Sequence, residues 1–485
     1  MMREILKKIG QFIIKWLVSL IKFPTKIKDI TKAKFEVEKK GKTYTWEYSY
    51  SVSSSTTDEI EAIHLKKANS KAKKGDHSGA VEDYNKAIAL NSNDVAAYKN
   101  RGIRELEQEY YSGTIKDFSK AIALDPNDAV AYNNRGLSKA KQCDYLGAIE
   151  DFNQAIVLDP NNVAAYNNRG NSKAEQCDYS GAIEDYNKVI ALNQNDSAAY
   201  NNRGLSKGKQ GDHSGAIEDY NKAITLNPNY AAAYNNRGLS KGKQGDYSGA
   251  IEDFNKAIAL DPNYAIAYNN RGAGKAGQGD YLGAIEDYNK AIALEPNYAS
   301  AYNNRGNSKA QQDDYSGAIE DYNKAIALDP SDAATYNNKG LSKAKQGDYS
   351  AAIEDYNKAI ALDPNDASTY YNRGNSKAAH GDYSSAIEDY NKAIVLNPNN
   401  AAAYYNQGNS KAKQGDYSGA IQDYNKTIAL DPNDASAYHN RGNSKAARGD
   451  YSSAIEDYNK AIALEPNYAA AYNNRGNSKA EQGDY

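Results

Sequence analysis

Cysteine is scarce in this chain. The 485 residues include two, Cys143 and Cys177, which lie 34 residues apart. They occupy equivalent positions of the sequence repeat described below, so their Cα atoms should lie farther apart than the roughly 4.4–6.8 Å that a disulfide needs. We therefore predict two free thiols in a reducing compartment rather than a disulfide or a redox pair.

A membrane-spanning segment is missing from the N-terminal region. Its apolar stretch, residues 9–23, is about 15 residues long, whereas a spanning helix needs about 20 apolar residues. Lys15 also lies in the middle of the stretch. No small-residue cleavage site of the A-x-A kind follows, so a secretory signal peptide is not expected.

Basic stripes are missing from most of the chain. The formal net charge is −3, but residues 1–50 hold 12 Lys and Arg against 5 Asp and Glu, which is +7 and leaves −10 for the rest. Lys and Arg neutralise the phosphates in complexes with nucleic acid, so an acidic, Tyr-rich body is a poor match for such a ligand. We expect no nucleic acid partner, and we expect the two parts of the chain to meet different partners.

Tyrosine, in contrast, is abundant, with 42 Tyr against 6 Phe and 2 Trp. A fixed period of 34 residues separates many of them, which indicates one sequence unit copied many times rather than a single globular core. Twelve full units cover residues 61–468, and an incomplete thirteenth unit covers residues 469–485. The recurring Tyr, called here the register Tyr, is found at positions 98, 132, 166, 200, 234, 268, 302, 336, 370, 404, 438 and 472.

Each unit predicts a pair of helices. In residues 231–264 the first half contains no proline and favours a helix over residues 234–244, which Gly245 and Asp246 end. The second half places apolar residues at i, i+1, i+4, i+7 and i+8, a stripe on one helix face, and Ser248 is expected to cap it. Such a hairpin cannot bury its stripe alone, so neighbouring units must stack.

This spacing resembles the tetratricopeptide repeat (TPR). The resemblance covers residues 61–485 and implies an all-α, right-handed α-solenoid, or superhelix, of helix-turn-helix units. It also implies that the protein binds other proteins and has no catalytic machinery. The family signature of aromatic, Gly, Ala, aromatic, Ala and Pro is met by Tyr234, Gly238, Ala250, Phe254, Ala257 and Pro262.

Two positions depart from the family pattern. Arg237 and Lys241 stand where the family usually has Leu and Tyr, and the second helix carries Glu252 and Asp253. We expect Arg237 to lay its stem on the core and to pair with Asp253, which gives a ladder of ion pairs along the repeats. The alternative is that both side chains are solvated and that each pair contributes less than about 1 kcal/mol.

Residues 1–24 predict a basic amphipathic helix. An apolar face with Trp and Phe opposite Lys and Arg is typical of a helix that lies in an anionic membrane interface. The helix could instead cap the end of the solenoid or dock on a partner. The expected membrane-interface residues are Ile5, Ile9, Phe12, Trp16 and Leu20 on the apolar face and Lys7, Lys8 and Lys15 on the polar face.

Residues 25–60 predict a β-hairpin followed by a short linker at residues 53–57. The apolar period changes from 3.6 to 2, with Phe35 and Val37 before a Lys-rich turn and alternating aromatic residues after it. Isolated hairpins are marginal in water, so this one should pack against the first repeat or the N-terminal helix.

Once its residues are placed in the repeat, no candidate pattern fits a catalytic or metal-binding site. Residues 272–277 match G-x-G-x-x-G, but they lie inside a predicted first helix without the preceding strand of a nucleotide-binding unit. The five His occupy four different repeat positions and cannot converge on zinc. Adjacent Glu-Asp pairs on a helix point in different directions, which does not suit paired acid–base chemistry. We expect no enzyme activity, cofactor, metal or small-molecule substrate.

Asparagine recurs two residues after the register Tyr, and we call these residues the Asn column. In TPR solenoids the first helices line the concave face, where an amide with both a donor and an acceptor suits the backbone of an extended peptide. The column resembles the asparagine ladder of the O-linked N-acetylglucosamine transferases, although this chain has no glycosyltransferase domain. Recent duplication would preserve the same residues without any binding role. The column consists of Asn100, Asn134, Asn168, Asn202, Asn236, Asn270, Asn304, Asn338, Asn372, Asn406, Asn440 and Asn474.

The position five residues after the register Tyr changes along the chain. It is mostly Leu in the N-terminal copies, as in Leu205 and Leu239, and Asn in the last copies, as in Asn375 and Asn409. The N-terminal half of the groove should therefore be more apolar than the C-terminal half.

The sequence thus predicts a cytoplasmic scaffold, peripheral on the cytoplasmic face of a membrane if the N-terminal helix binds lipid, that holds partner proteins or extended peptides in a concave groove. A second hypothesis is that the chain is the substrate-recruiting arm of a modifying enzyme whose catalytic part lies elsewhere. Its support is the incomplete last unit, because an exposed terminal helix normally requires a polar cap. A third is a structural spacer whose concave face binds nothing.

Overall fold

The structure is a computed structural model that describes residues 32–39, 42–49 and 54–483. The chain divides into two compact units, Met1–Leu192 and Asn193–Tyr485. The amphipathic helix expected over residues 1–24 lies outside the described residues.

The N-terminal unit begins with two described strands, β1 (Lys32–Lys39) and β2 (Lys42–Ser49), which pair antiparallel. In this register Phe35 lies opposite Trp46. Helix α1 follows from Ser54, so the residues expected to form a linker are largely helical. Ser and Thr favour helix starts, and the sequence contains neither Gly nor Pro from there to the end of α1.

The described repeats are built from helices alone. The N-terminal unit contains α1 (Ser54–Lys73), α2 (His77–Leu90), α3 (Val95–Glu107), α4 (Tyr111–Leu124), α5 (Ala129–Lys141), α6 (Tyr145–Leu158), α7 (Val163–Glu175) and α8 (Tyr179–Leu192). The C-terminal unit contains α9 (Ser197–Lys209), α10 (His213–Leu226), α11 (Ala231–Lys243), α12 (Tyr247–Leu260), α13 (Ala265–Gly277), α14 (Tyr281–Leu294), α15 (Ala299–Gln311), α16 (Tyr315–Leu328), α17 (Ala333–Lys345), α18 (Tyr349–Leu362), α19 (Ala367–Ala379), α20 (Tyr383–Leu396), α21 (Ala401–Lys413), α22 (Tyr417–Leu430), α23 (Ala435–Ala447), α24 (Tyr451–Leu464) and α25 (Ala469–Glu481).

The turn between α11 and α12 illustrates how each hairpin is made. Gly245 has φ +85°, a left-handed conformation that glycine adopts at low cost. Asp246 then caps α12, because its carboxylate accepts the backbone N–H of Gly249 at 2.9 Å. The prediction that Ser248 caps this helix is wrong. Its hydroxyl instead accepts a hydrogen bond from the Gln278 side chain of the next repeat, at 2.9 Å.

The two cysteines occupy this same turn position. Cys143 has φ 63° and Cys177 has φ 62°, and both are free and exposed. The prediction of unpaired thiols is therefore confirmed for both residues.

Close contact between the two helices of a repeat depends on one glycine. A Cβ atom at Gly238 would lie 2.8 Å from Cε1 of Phe254 and 3.1 Å from the carbonyl oxygen of Ala250. Phe254, Ala250 and Ala257 are buried around it. Small residues on both helices thus let an aromatic ring fill the space between them, as the repeat signature requires.

The helices of each unit stack in chain order. Within a unit each helix packs on the next one, and in most repeats the first helix also touches the first helix of the following repeat, as α11 touches α13. Among the described helices of either unit, second helices have no comparable contact with each other. The predicted all-α solenoid of helix-turn-helix units is therefore confirmed for the described repeats.

Candidate functional site

The predicted ion pair between the helices of a repeat is present. Arg237 donates to both carboxylate oxygens of Asp253, from Nε at 2.9 Å and from Nη2 at 2.5 Å. Lys241 Nζ lies 2.9 Å from the same carboxylate, and Asp253 is only 3% exposed. The alternative of two solvated side chains is therefore wrong, and the pairing raises the pKa of Arg237.

Arg237 also joins two repeats. Its Nη1 donates to the side chain of Asn221 in the preceding second helix at 2.6 Å. Its guanidinium lies 5.4 Å from the ring centre of Tyr234. These charges are used within the structure, so they do not form a binding surface. Equivalent bidentate pairs are Arg101–Asp117, Arg135–Asp151, Arg169–Asp185, Arg203–Asp219, Arg271–Asp287, Arg305–Asp321, Arg373–Asp389 and Arg441–Asp457.

In residues 401–434 neither Arg nor Lys stands at the position of Arg237. Gln407 stands in its place and donates to Asn391 Oδ1 at 2.7 Å and to the carbonyl of Ile387 at 3.3 Å. Asp423 retains the ion pair with Lys411, at 2.7 Å. Burial raises the pKa of Asp423 above its ordinary value, because one cation does not offset the loss of hydration.

Another repeat lacks the lysine. Glu105 occupies the position of Lys241 and is buried close to Asp117. Burial, together with the Asp117 charge, raises the pKa of Glu105 to about 7. This pair of buried carboxylates shares the charge of Arg101, a feature that the sequence analysis did not single out.

The Asn column is half-buried, and most of its members form hydrogen bonds between repeats. Asn236 Nδ2 donates to Asn201 Oδ1 at 3.1 Å, and Asn270 Nδ2 donates to Asn235 Oδ1 at 2.9 Å. The acceptor is the residue that follows the register Tyr in the preceding repeat. The amide nitrogens thus stabilise repeat stacking, a role that the period-34 pattern alone did not reveal.

The last repeats use a different acceptor. Asn406 Nδ2 donates to the Tyr371 hydroxyl at 3.1 Å and to Asn375 Oδ1 at 2.9 Å. Asn440 Nδ2 makes the same two contacts with Tyr405 and Asn409, at 2.9 and 3.1 Å. Where Tyr replaces the acceptor Asn, the amide four positions later on α19 or α21 therefore becomes a second partner.

An open cavity of about 310 Å³ lies between α19 and α21. Its polar lining includes Asn375, Asn406, Asn409 and Lys413, and its aromatic lining comes from Tyr383 and Tyr390 of α20. Asn406 belongs to the Asn column, and Asn375 and Asn409 occupy the position that changes from Leu to Asn along the chain. The cavity therefore brings together positions that the sequence analysis assigned to the groove.

The corresponding position is an exposed leucine in three earlier copies of the C-terminal unit. Leu205, Leu239 and Leu341 are 44%, 40% and 41% exposed. An exposed leucine in this position offers contact area but no hydrogen bond, so these copies and the copies with Asn present different chemistry to a partner.

The described residues contain neither a cluster of three or more side-chain metal ligands nor a membrane-spanning helix. No group of three or more His, Cys, Asp or Glu side chains is arranged there to hold a metal ion. None of the helices that the structure describes has the length and apolar character to cross a bilayer.

Solved structures align with the chain at TM-scores below 0.5. The APC/C hetero-tetramer Cut9-Hcn1 has a TM-score of 0.45 and 15% identity, covering 86% of this chain and 96% of that chain. Yeast Tom70 has a TM-score of 0.39 and 17% identity, covering 88% and 96%. MamA has a TM-score of 0.34 and 30% identity, covering 35% and 93%. No curated protein matches the chain.

Sequence models of the repeat match along most of the chain. Models described as tetratricopeptide repeat match residues 129–162, 163–196, 231–264, 371–435 and 423–456. A model described as TPR repeat matches residues 68–103, 208–245, 276–313, 306–347, 340–381 and 442–483. The matches agree in period with the helical hairpins and with the buried aromatic, Gly and Ala positions. The chain therefore belongs to the tetratricopeptide-repeat family.

Proposed function

We propose that this TPR protein is a non-catalytic cytoplasmic scaffold that binds extended segments of partner proteins along its first helices. The observation that carries the proposal is the open cavity between α19 and α21, which is lined mainly by first-helix residues. A concave site with a few converging polar groups is the usual form of a binding site.

The contacts between helices support the choice of this face. First helices touch their counterparts in the next repeat, whereas second helices have no comparable contact among the described residues of either unit. Helices that lie closer together belong to the inner side of a curved stack. The first helices therefore suit the concave groove, where one extended chain contacts several repeats.

The Asn column remains part of this proposal through its oxygen atoms. Asn406 uses its amide nitrogen for Tyr371 and Asn375, while its Oδ1 accepts no hydrogen bond from another described residue. Such an oxygen suits the backbone N–H of a bound peptide. The column from Asn100 to Asn474 is proposed to contribute through the same atom. Oδ1 of Asn236, for example, accepts from Asn235 at 3.3 Å, and an amide oxygen has a second lone pair for a ligand.

Selection from a phage-displayed library of unstructured peptides tests the scaffold function. We expect the full chain to enrich peptides whose affinity falls at least tenfold in Ala379→Trp, which fills the cavity. Glu388→Trp, at an exposed position of the second helix α20, is the matched control and should bind normally. Failure to enrich any peptide, or an equal loss in both variants, would contradict the proposal.

The N-terminal segment is proposed to attach the scaffold to an anionic membrane surface. This rests on its sequence alone, with Phe12 and Trp16 on the apolar face of a basic helix. Co-sedimentation with liposomes containing phosphatidylserine tests it. The full chain should pellet at low salt and less at high salt, and the double variant Phe12→Asp, Trp16→Asp should stay in the supernatant; equal pelleting of both would exclude the anchor.

A further inference from the structure

A lysine ammonium lies at the same point between the two helices of most repeats. Lys241 Nζ lies 2.9 Å from the buried carboxylate of Asp253 and donates to the carbonyl oxygen of Gly249 at 3.4 Å. A carboxylate and a backbone carbonyl of the second helix thus form a cation position that the first helix fills. The same two contacts are made by Lys71, Lys139, Lys173, Lys207, Lys275 and Lys309.

Residues 95–128 keep both acceptors of this cation position but lack the lysine. Asp117, which is 2% exposed, and Gly113 correspond to the aspartate and the glycine. Glu105 replaces the lysine, whereas every other copy of the repeat carries Lys here. An acidic side chain therefore stands where the other copies supply a positive charge.

The charges at this point do not balance. Arg101 directs Nε and Nη2 to Asp117 and Nη1 to Asn85, so all three of its nitrogens are engaged. Lys116 lowers the pKa of Glu105, but it is exposed, and these two described residues form no ion pair. Two ionised carboxylates against one guanidinium leave one negative charge in excess. An uncompensated charge is unfavourable in a buried place.

Glu105 also directs an unpartnered oxygen to the cation position. The residue is 9% exposed, and its Oε2 has no hydrogen-bond partner among the described residues. A Cβ atom at Gly113 would lie 2.6 Å from Oε2, so this oxygen lies beside the residue whose counterparts accept the lysine ammonium. Buried polar atoms are satisfied in the large majority of cases. The unsatisfied, negatively charged oxygen therefore indicates a positively charged ligand.

Distance and charge together favour a monovalent cation of about the size of ammonium. The distances of 2.9 and 3.4 Å around Lys241 Nζ exceed the roughly 2.3–2.6 Å of Ca²⁺–oxygen and the roughly 2.0–2.1 Å of Mg²⁺–oxygen contacts. One positive charge balances the excess at Glu105 and Asp117, whereas a divalent ion would leave a positive charge in excess. K⁺ has nearly the radius of ammonium and meets both conditions.

We propose that residues 95–128 bind a monovalent cation of the size of K⁺ between α3 and α4, held by Glu105 Oε2, a carboxylate oxygen of Asp117 and the carbonyl oxygen of Gly113. The ion takes the place that the lysine ammonium has in the other repeats. The stability of this repeat then depends on the cations in solution, which is independent of the proposed scaffold function.

Amide hydrogen exchange of the full chain at pH 8 tests the site. Burial raises the pKa of Glu105 to about 7, so its carboxyl is mostly ionised at this pH. Exchange is compared in about 150 mM KCl and in choline chloride of the same concentration, which screens surface charges equally but has too large a cation for the site. Because a bound ligand stabilises the folded state, we expect protection of residues 95–128 to be about fivefold or more higher in KCl. NH₄⁺ should act like K⁺.

The neighbouring repeat, residues 129–162, is the matched control in the same molecule. Lys139 supplies the ammonium there, so its protection should be the same in both salts. Glu105→Lys should make residues 95–128 equally protected in KCl and in choline chloride, and Glu105→Gln should remove the response to KCl. Lys139→Glu, conversely, should make residues 129–162 respond to KCl.

Equal protection of residues 95–128 in KCl and in choline chloride would overturn the site. A response to KCl that persists in Glu105→Gln, or that residues 129–162 share in the unaltered chain, would also overturn it, because the response would then be a general effect of the salt. A larger response to Na⁺ or Ca²⁺ than to K⁺ would overturn the proposed size and charge of the ion.

Discussion

The repeats 231–264 and 401–434 have the same helices and differ at one buried point. In the first, Arg237 contacts both Asp253 and the preceding repeat through Asn221. In the second, Gln407 keeps only the contact with the preceding repeat, through Asn391. The comparison separates two roles of the arginine: joining repeats, which an amide can also do, and neutralising a buried carboxylate, which it cannot.

A third repeat, residues 95–128, shows the opposite substitution. It keeps Arg101 but has Glu105 in place of the lysine, so the buried carboxylate Asp117 gains a second acid as neighbour. In residues 95–128 and 401–434 the pKa of a buried acid is raised, that of Glu105 and that of Asp423. In residues 401–434, where the arginine is absent, one cation does not hold the pKa of the buried aspartate at its ordinary value.

The largest effect is expected from removing that aspartate. Asp253→Ala leaves two partly buried cations without their partner, and breaking a buried pair in this way costs about 3–5 kcal/mol. Asp423→Ala leaves only Lys411 without its partner, so the loss of stability should be less than half as large. Amide hydrogen exchange of the individual repeats measures each cost locally, which suits a stack of repeats. Equal losses in the two repeats would contradict the role assigned to the arginine.

The next effect depends on pH and concerns Glu105. Its pKa in the folded chain, about 7, lies above the ordinary value of 4.5, so its favourable contribution is present below pH 4.5 and is lost as the pH rises through about 7. Glu105→Gln should therefore stabilise residues 95–128 at pH 8, by up to about 3 kcal/mol, and should change little at pH 4. Hydrogen exchange at both pH values measures this; a benefit independent of pH would contradict it.

A smaller effect on stability is expected when alanine replaces glycine at two equivalent repeat positions. Gly238→Ala forces a Cβ against Phe254 and should cost about 1–3 kcal/mol. Gly476, at the same repeat position of α25, has no heavy atom within 4 Å of such a Cβ. Gly476→Ala should stabilise α25 by about 0.5–1 kcal/mol through helix propensity. Thermal unfolding with local exchange data compares them, and a loss at both positions would contradict the packing argument.

The smallest expected effect is a gain from restoring the missing arginine. Gln407→Arg places donors for both Asp423 and Asn391 and should stabilise residues 401–434 by about 1 kcal/mol. It should also lower the pKa of Asp423, which NMR titration of the carboxyl carbon follows. An unchanged pKa would show that the side chain does not reach Asp423.

Much of the fold was predictable because the 34-residue unit recurs along the chain with little variation. The 34-residue period, the apolar stripe and the turn residues are local patterns, and they predicted the paired helices. The Arg237–Asp253 contact was also predictable, since an unusual cation and an unusual acid recur together in almost every copy. Ser248 was misjudged as a cap because Asp246, which directly precedes the helix, is the stronger acceptor in reach of the first turn.

The sequence by itself determined the helical hairpin, its family and the partners within each ion-pair ladder, because these depend on residue spacing and on complementary charge. Only the tertiary structure decided which atoms of each asparagine remain for a ligand. Oδ1 of Asn375 is used within the structure, because Tyr390 from a second helix and Asn406 from the next repeat both donate to it. Such an arrangement depends on three elements packed together and has no counterpart in a linear pattern.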